Sequence, residues 1–319
     1  MPPPLSVVVV AYDMGRELPR TIRSLAPEHQ LGVDAGDYEV IVVDNGSPVP
    51  VDEGVVPAGS SIDVRIERLD PAPASPAAAA NRGIGLARGR AIGLIVDGAR
   101  IASPGLLAGA LLGLEVADRP VVATLGWHLG EGRHGDPSSG HDRDTEDALL
   151  AEAGWPADGY RLFEVSTLAH SSSRGWFGPI GESSALFMPR SLWGELGGLD
   201  PAFALPGGGL VNHDLYRRAV EADGTQPVML LGEGTFHQTH GGAATSGRFG
   251  WEEMQADHRR LRGVRYEPPE VDPVYVGRVP PQARRHLLTS LEWLRASGGA
   301  VSTGRPRRRP RLRRPRLSG

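Results

Sequence analysis

Residues 5–13, LSVVVVAYD, decide the fold, because a short apolar run that stops at a polar turn is typical of a buried strand in a parallel sheet. Two later stretches repeat the pattern, YEVIVVDNGS at 38–47 and AIGLIVDGAR at 91–100. The aspartates that close the three runs are Asp13, Asp44 and Asp97. Loops at the carboxyl ends of such strands are where open α/β sheets bind ligands. The sequence therefore predicts a nucleotide-type site, since carboxylates can hold a base, a ribose or a metal on a diphosphate.

Helical stretches separate these strands. Residues 16–25 and the alanine-rich run 77–88 predict helices, and residues 62–69 predict a shorter strand. Strands that alternate with helices of about ten residues indicate βαβ units, so we predict an α/β fold whose mostly parallel central sheet carries helices on both faces. The later predicted elements are a helix at 103–114, a strand and a short helix within 183–200, a helix at 212–222, a strand at 226–236 and helices at 251–262 and 281–296.

The composition is that of a globular protein. Of 319 residues, 40% are hydrophobic and 23% are charged. No apolar run approaches the roughly 20 residues that span a bilayer, and the first residues lack a basic leader with a cleavage site, so we expect a cytoplasmic protein. Because the chain has no cysteine, any metal must be bound by carboxylate, imidazole or water.

Composition divides the chain into three parts. Residues 1–262 hold the predicted sheet, residues 263–300 predict a connector and a helical extension, and residues 301–319 are too polar to form a core and are expected to be disordered. Within the first part, residues 126–181 have little periodicity. A loop-rich insertion of this length is usually functional or disordered, and we predict that it binds the acceptor.

Charge is placed unevenly. Residues 305–316, RPRRRPRLRRPR, hold eight arginines and no acid, which leaves 26 basic residues against 38 acidic ones in the rest of the chain. Such a tail could bind the inner face of an anionic membrane, where each basic residue contributes about 1 kcal/mol. The alternative is a solvated, disordered end. Nucleic acid binding would rest on the tail alone, and nucleic acid is not expected as a partner.

Short motifs follow one another in a recognisable order between residue 5 and about residue 262. They are VVVVAYD (7–13), VVDNGS (42–47), AANRGIGLARG (79–89), IVDGAR (95–100), GGLDPAF (197–203), NHDLYRRA (212–219) and GEGTFHQTHGG (232–242). This order resembles the family 2 glycosyltransferases, which have the GT-A fold. The resemblance implies a single nucleotide-sugar-binding domain that transfers a sugar from a nucleoside diphosphate.

The resemblance also implies roles for residues at the strand ends. The implied nucleotide-binding residues are Ala11, Tyr12, Asp13, Asp44, Asn81, Arg82, Asp97 and Arg100. Asp97 would approach the metal and the diphosphate, and His237 would be a late metal ligand. The chain is a divergent member by this comparison, because Asp97-Gly98-Ala99 lacks the second carboxylate of the family's Asp-x-Asp motif.

A divalent ion would stabilise the leaving diphosphate as a Lewis acid. Carboxylate oxygens suit Mg²⁺ and Mn²⁺, and manganese also accepts imidazole, so Asp97 and His237 could hold either ion with His240 as a further candidate ligand. Residues three apart on an extended segment face opposite ways, which argues against using both histidines. Alternatively, Asp97 only caps its strand, and Arg100 or Arg82 neutralises phosphate without a metal, because guanidinium binds phosphate and keeps its charge.

An inverting transfer needs a base within hydrogen-bond reach of the acceptor hydroxyl. The two candidates are Asp214, in the helix start that carries this role in the family, and Glu182, near the predicted acceptor region. Val211-Asn212 stands where the family usually has Glu-Asp. Each acid also has a structural interpretation, a helix-dipole acid for Asp214 and a solvated loop acid for Glu182.

We therefore predict an inverting, hexosyltransferase-like enzyme of polysaccharide biosynthesis that uses a nucleoside-diphosphate sugar and a glycan or lipid-linked acceptor. The alternative hypothesis is an inactive nucleotide-sugar or glycan binding protein of the same fold, because the metal and base motifs are altered. Three tryptophans flank the insertion: Trp127, Trp155 and Trp176. Their rings could stack on a sugar, but tryptophan side chains more commonly pack in the core.

Overall fold

A mixed sheet of ten strands forms the centre of the structure, a computed structural model that describes residues 2–130, 141–241 and 250–298. The strands are β1 Leu5–Ala11, β2 Tyr38–Asp44, β3 Val64–Arg68, β4 Ala91–Ile95, β5 Arg100–Ala102, β6 Pro120–Leu129, β7 Ser166–Leu168, β8 Leu186–Pro189, β9 Gln226–His237 and β10 Val274–Gly277. Their order is β10-β9-β6-β8-β4-β1-β2-β3, with β5 paired to β9 and β7 paired to β6. The four strands from β4 to β3 are mutually parallel, whereas β8 is antiparallel to both of its neighbours.

Helices cover both faces of this sheet. They are α1 Leu18–Leu25, α2 Ala77–Leu86, α3 Leu106–Leu114, α4 Arg143–Glu152, α5 Arg190–Leu196, α6 Val211–Glu221, α7 Trp251–Arg262 and α8 Arg284–Ala296. All seven residues of β1 are buried, with Val8 and Val10 in one core alongside α2 and Val7 and Val9 in the other alongside α1. Successive side chains of a strand point to opposite faces, so a continuous apolar run serves two layers. The predicted α/β fold is confirmed.

Gly83 explains how α2 comes close to the sheet. A Cβ at this position would overlap the side chain of Val8. The glycine therefore allows the helix to approach β1, despite the helix propensity that it costs.

Residues 126–181 contain more regular structure than the sequence analysis predicted. β6 continues to Leu129, and α4 and β7 follow it. Trp127 and Trp176 are buried, and the Trp127 ring lies edge-on to Phe163 at 4.9 Å. Core packing therefore occupies both tryptophans, and they do not form a sugar platform. Residues 131–140 lie outside the described residues.

Residues 263–298 are more than a helical extension. β10 pairs in parallel with β9, which adds an edge strand to the central sheet. On α8, His286 is buried with its Nε2 at 3.0 Å from the carbonyl oxygen of Phe163, and burial lowers the pKa of this imidazole to about 4. The predicted arginine-rich tail lies outside the described residues. Across the described ranges, every helix is too short or too polar to cross a bilayer.

Candidate functional site

The short strand β5 brings Asp97 and His237 together. β5 runs antiparallel to the end of β9, with Arg100 opposite His237. The backbone N–H of Gln238 then donates to the carbonyl oxygen of Ala99 at 2.8 Å, which extends the contact by one step. The segment that follows β4 therefore pairs with the end of β9, although the two segments are far apart in sequence.

Asp97, His237 and His240 point their ligand atoms at one another. The Oδ2 atom of Asp97 lies 2.6 Å from Nε2 of His237 and 3.4 Å from Nε2 of His240. The two Nε2 atoms are 3.1 Å apart. Both histidines contribute to one cluster, contrary to the expectation from an extended segment, because β9 ends at His237 and the chain leaves the strand direction there.

The spacing and the donor types of this cluster suit a divalent ion. Adjacent ligands of an octahedral ion with bonds of about 2.1 Å lie about 3 Å apart, close to the distances between these three atoms. Two imidazoles with one carboxylate favour Mn²⁺ over Mg²⁺, which prefers oxygen ligands. Asp97 still accepts a hydrogen bond from the backbone N–H of Ala99 at 2.9 Å through Oδ1, so its capping role leaves Oδ2 for the cluster.

The electrostatics keep the carboxylate ionised. Burial opposes ionisation of Asp97, but the charges and hydrogen bonds of His237 and His240 outweigh it and hold the pKa of Asp97 well below its ordinary value. Burial lowers the pKa of His237. At His240 the charge of Asp97 and its hydrogen bond outweigh the effect of burial, so the pKa of His240 is raised. A cation that entered the cluster would compete with a proton on His240, so its binding would weaken at low pH.

His128 is a neighbour of the cluster that the sequence analysis placed in the acceptor region instead. It lies opposite His237 in the β6–β9 register, and the Nδ1 atoms of the two rings are 3.4 Å apart. An interaction at Nδ1 leaves Nε2 of His237 to face Asp97, as in metal sites where the second ring nitrogen is bound by the protein. The apolar run PVVATLGWHL at 120–129 is the sequence signal that indicates this strand.

Glu146 supports the same loop from the insertion. This carboxylate of α4 is 0% exposed, and its Oε2 accepts a hydrogen bond from the backbone N–H of Thr239, the residue before His240. Arg16 donates to Oε1 of Glu146 at 3.1 Å and to Asp147 at 2.6 Å. A buried carboxylate is stable only when it is paired in this way. Glu146 was missed because an acid on a polar helix looks like a surface residue.

Arg100 lies beside the cluster, as a phosphate-binding residue would. Its Nε is 3.9 Å from Oδ2 of Asp97, and its side chain is 17% exposed. Nη1 of Arg100 lies 3.5 Å from the point that a Cβ on Gly126 would occupy. At this distance Asp97 neutralises the charge of the guanidinium only weakly.

The predicted nucleotide residues fall into two groups. Tyr12 is 54% exposed, and Asp13 has a positive φ of 53° with its N–H donated to Ser47. These two residues follow β1 at the edge of the sheet where β4 also ends, and Ala11, the last residue of β1, pairs with Asp44. Tyr12 and Asp13 are therefore accessible to a ligand at that edge of the sheet.

The other predicted nucleotide residues are occupied by protein contacts. Asp44 is 0% exposed, and its carboxylate accepts from Ser47, from the N–H of Val51 and from Arg68. Burial raises its pKa, but these bonds outweigh burial and lower the pKa overall. Asn81 binds both backbone groups of Leu199, and Arg82 pairs with Glu67 on β3. Each of the three residues therefore has a protein partner in this structure.

The two candidate bases have different surroundings. Asp214 is 3% exposed, and its carboxylate accepts from Arg218 at 2.8 Å and from Arg262 at 2.5 and 2.9 Å. Burial is outweighed by these arginines, which lower the pKa of Asp214. Glu182 is 20% exposed, and its Oε2 lies 3.5 Å from Nδ1 of His213. A carboxylate clamped by two guanidiniums is a poor proton acceptor, so the geometry favours Glu182.

Comparison with known proteins agrees with the order of motifs. Residues 6–126 match the family model described as Glycosyl transferase family 2. None of the curated protein sequences matches the chain. The predicted resemblance is confirmed over the matched residues.

Three solved structures of S. aureus TarS are similar in fold. The TarS crystal structure has a TM-score of 0.53 at 12% identity, and the alignment covers 95% of this chain but 46% of that chain, so this chain spans about half of its length. TarS 1-349 has a TM-score of 0.52 at 12% identity, covering 95% and 74% of the two chains. Its complex with UDP-GlcNAc has a TM-score of 0.52 at 11% identity, covering 92% and 72%. At such identities the likeness shows the fold alone, which is of the GT-A type.

Proposed function

We propose that this chain, which carries a family 2 glycosyltransferase domain, transfers a sugar with inversion from a nucleoside diphosphate to an acceptor hydroxyl. The observation that supports this proposal is the cluster of Asp97, His237 and His240 at the carboxyl end of β4. The GT-A neighbours include a complex with UDP-GlcNAc, which supports a nucleotide sugar as the donor here.

The cluster, Arg100 and Glu182 have separate tasks in the proposed reaction. Asp97, His237 and His240 would hold a divalent ion, preferably Mn²⁺, which supplies Lewis-acid stabilisation of the leaving diphosphate. Arg100 donates hydrogen bonds to the phosphate oxygens. Glu182 accepts the proton of the acceptor hydroxyl while that oxygen bonds to the anomeric carbon. The bond from this carbon to the diphosphate oxygen breaks, and its electron pair leaves on the diphosphate.

A panel of nucleotide sugars tests the proposal. The protein is incubated with UDP-GlcNAc, UDP-glucose, UDP-galactose and GDP-mannose, with Mn²⁺ or with EDTA, and release of nucleoside diphosphate is measured. We expect slow, Mn²⁺-dependent release from one donor, because water can replace the acceptor. Absence of both release and thermal stabilisation with every donor would contradict the proposal.

The alternative is a nucleotide-sugar binding protein without turnover. The contacts of Asp214 favour it, because the acid at the family's base position is clamped by Arg218 and Arg262. In that case a donor raises the melting temperature but is never cleaved, even when sugar acceptors are added.

Glu146 allows a test of the metal site that needs no donor. We expect Glu146→Gln to weaken Mn²⁺ binding about 10–100-fold, because the loop of Thr239 and His240 loses a buried anionic partner. Asp147→Asn is the matched control, since Asp147 binds Arg16 but not Thr239. Calorimetric titration with Mn²⁺ gives the affinities, and thermal melts confirm that both variants fold. Equal Mn²⁺ affinity in Glu146→Gln and the wild type would contradict the role of Glu146.

A further inference from the structure

β10 forms one edge of the central sheet, and no strand of the described residues lies on its outer side. β3 forms the opposite edge; it carries three charged side chains in VRIER, and all of its residues are partly buried. β10, VYVG, carries no charge, and three of its four residues are exposed. Edge strands are usually protected by charged side chains or by a covering element, because their free N–H and C=O groups can pair with another chain. Of the two edges, β10 is therefore the one that can accept a further strand.

The side chains of β10 add apolar surface to this edge. Val274 is 39% exposed and Tyr275 is 40% exposed. The Tyr275 ring lies edge-on to Phe177 with centroids 5.4 Å apart, so Phe177 covers only part of it. Val276 is buried in the core that α3 shares. Because successive side chains point to opposite faces, both faces of β10 hold apolar groups that a neighbouring strand would cover.

Asp272 and Arg278 flank β10 with opposite charges. Both residues are exposed, and neither side chain forms a hydrogen bond or an ion pair with another described residue. Residues 272–278 read DPVYVGR, so the two charges lie three residues before and three residues after Tyr275. The segment is thus complementary in charge to its own reverse.

Antiparallel pairing of two such segments uses this symmetry. When Tyr275 lies opposite Tyr275 of a second copy, residues equally far before and after it face each other. Asp272 then faces Arg278 of the second copy, and Arg278 faces Asp272 of the second copy. Directly opposite side chains lie on the same face of an antiparallel pair, where opposite charges and aromatic pairs are favourable. Parallel pairing in register would instead place like charges side by side.

We propose that β10 pairs with β10 of a second copy of this chain, antiparallel and centred on Tyr275, so that the two central sheets join. The interface uses the same surface of both copies and closes as a two-fold dimer. Pro273 and Pro280 limit the pairing to a short segment, because proline cannot donate to a strand ladder. A short interface of this kind is weak, and we expect a dissociation constant of about 10 µM.

The proposed dimer is independent of the proposed sugar transfer. β10 pairs on its inner side with Val228–Leu231 of β9. Leu231 lies six residues before His237, which is about 20 Å along a strand. The dimer can therefore be tested without any donor.

Sedimentation equilibrium of the full chain, from about 1 µM to about 300 µM, tests the dimer on both sides of its expected dissociation constant. We expect Asp272→Arg and Arg278→Asp each to raise this constant about thirtyfold, because each change replaces two attractive pairs by two repulsive ones. The double variant Asp272→Arg/Arg278→Asp restores the attraction and should dimerise like the wild type. Thermal melts confirm that all variants fold.

Three outcomes would overturn the proposal. The wild type stays monomeric over the whole range, the dimer survives both single charge reversals, or the double variant fails to regain it.

Tyr275→Cys tests the register, because the chain has no cysteine of its own. A residue opposite itself brings the two Cβ atoms to about 5 Å, from which a small movement allows a disulfide. Oxidised glutathione should convert this variant to a covalent dimer. The control is Val264→Cys, at a position that is 54% exposed after α7, and it should stay monomeric. Equal cross-linking at the two positions would contradict a pairing centred on Tyr275.

Discussion

Asp97→Asn is expected to lower the rate of donor turnover by roughly a thousandfold, because a divalent ion on a leaving phosphate is worth several kcal/mol of transition-state stabilisation. The amide is nearly isosteric, so it keeps the bond to the backbone N–H of Ala99. It removes the charge that His237 and His240 face. Saturable Mn²⁺ binding should be lost in calorimetry, whereas the melting temperature should change little.

Asp52→Asn is the matched control for Asp97→Asn. Asp52 accepts a hydrogen bond from the backbone N–H of Gly54 at 2.9 Å, the same distance and the same two-residue spacing as Asp97 and Ala99. If Asp97 is only a cap, the two variants should behave alike and retain turnover, and the metal proposal fails. Turnover that persists in EDTA would assign charge neutralisation to Arg100 instead.

The first hundred residues were predictable because local pattern and tertiary structure agree there. The stretches quoted at 5–13 and 38–47 begin at the first residues of the observed strands Leu5–Ala11 and Tyr38–Asp44. Both strands are buried on both faces, so most of their residues are apolar and each run ends at a polar turn. Consistency of this kind made the fold accessible from the sequence alone.

Strands that form only because another strand lies beside them were not predictable. β5 has three residues, and nothing in Arg100–Ala102 favours a strand until β9 lies beside it. This pairing decides the distance between Asp97 and His237, so the sequence could suggest the two ligands but not their contact. The turn after His237 places His240 in the cluster, and no hydrophobic periodicity in the sequence indicates this turn either.

Charged residues that have buried partners were a second feature that the sequence could not report. Asp44 and Asp214 look like ligand-facing acids in the sequence because each lies next to a functional motif. In the structure Arg68 donates a hydrogen bond to Asp44, and Arg218 and Arg262 donate to Asp214. Arginines from other elements occupy these carboxylates, and no local pattern reports such a pairing.

The different surroundings of Glu182 and Asp214 lead to opposite expectations for their amide variants. Glu182→Gln should reduce donor turnover about 10²–10⁴-fold, the usual contribution of a general base, with Mn²⁺ affinity and melting temperature preserved. Asp214→Asn should instead destabilise the fold by about 3–5 kcal/mol, because two guanidiniums lose a buried partner, while the folded fraction keeps its turnover. Denaturant unfolding and rates per folded molecule measure both effects. The reverse pattern, a stable but inactive Asp214→Asn and an active Glu182→Gln, would make Asp214 the base and would require Arg218 and Arg262 to release it when the acceptor binds.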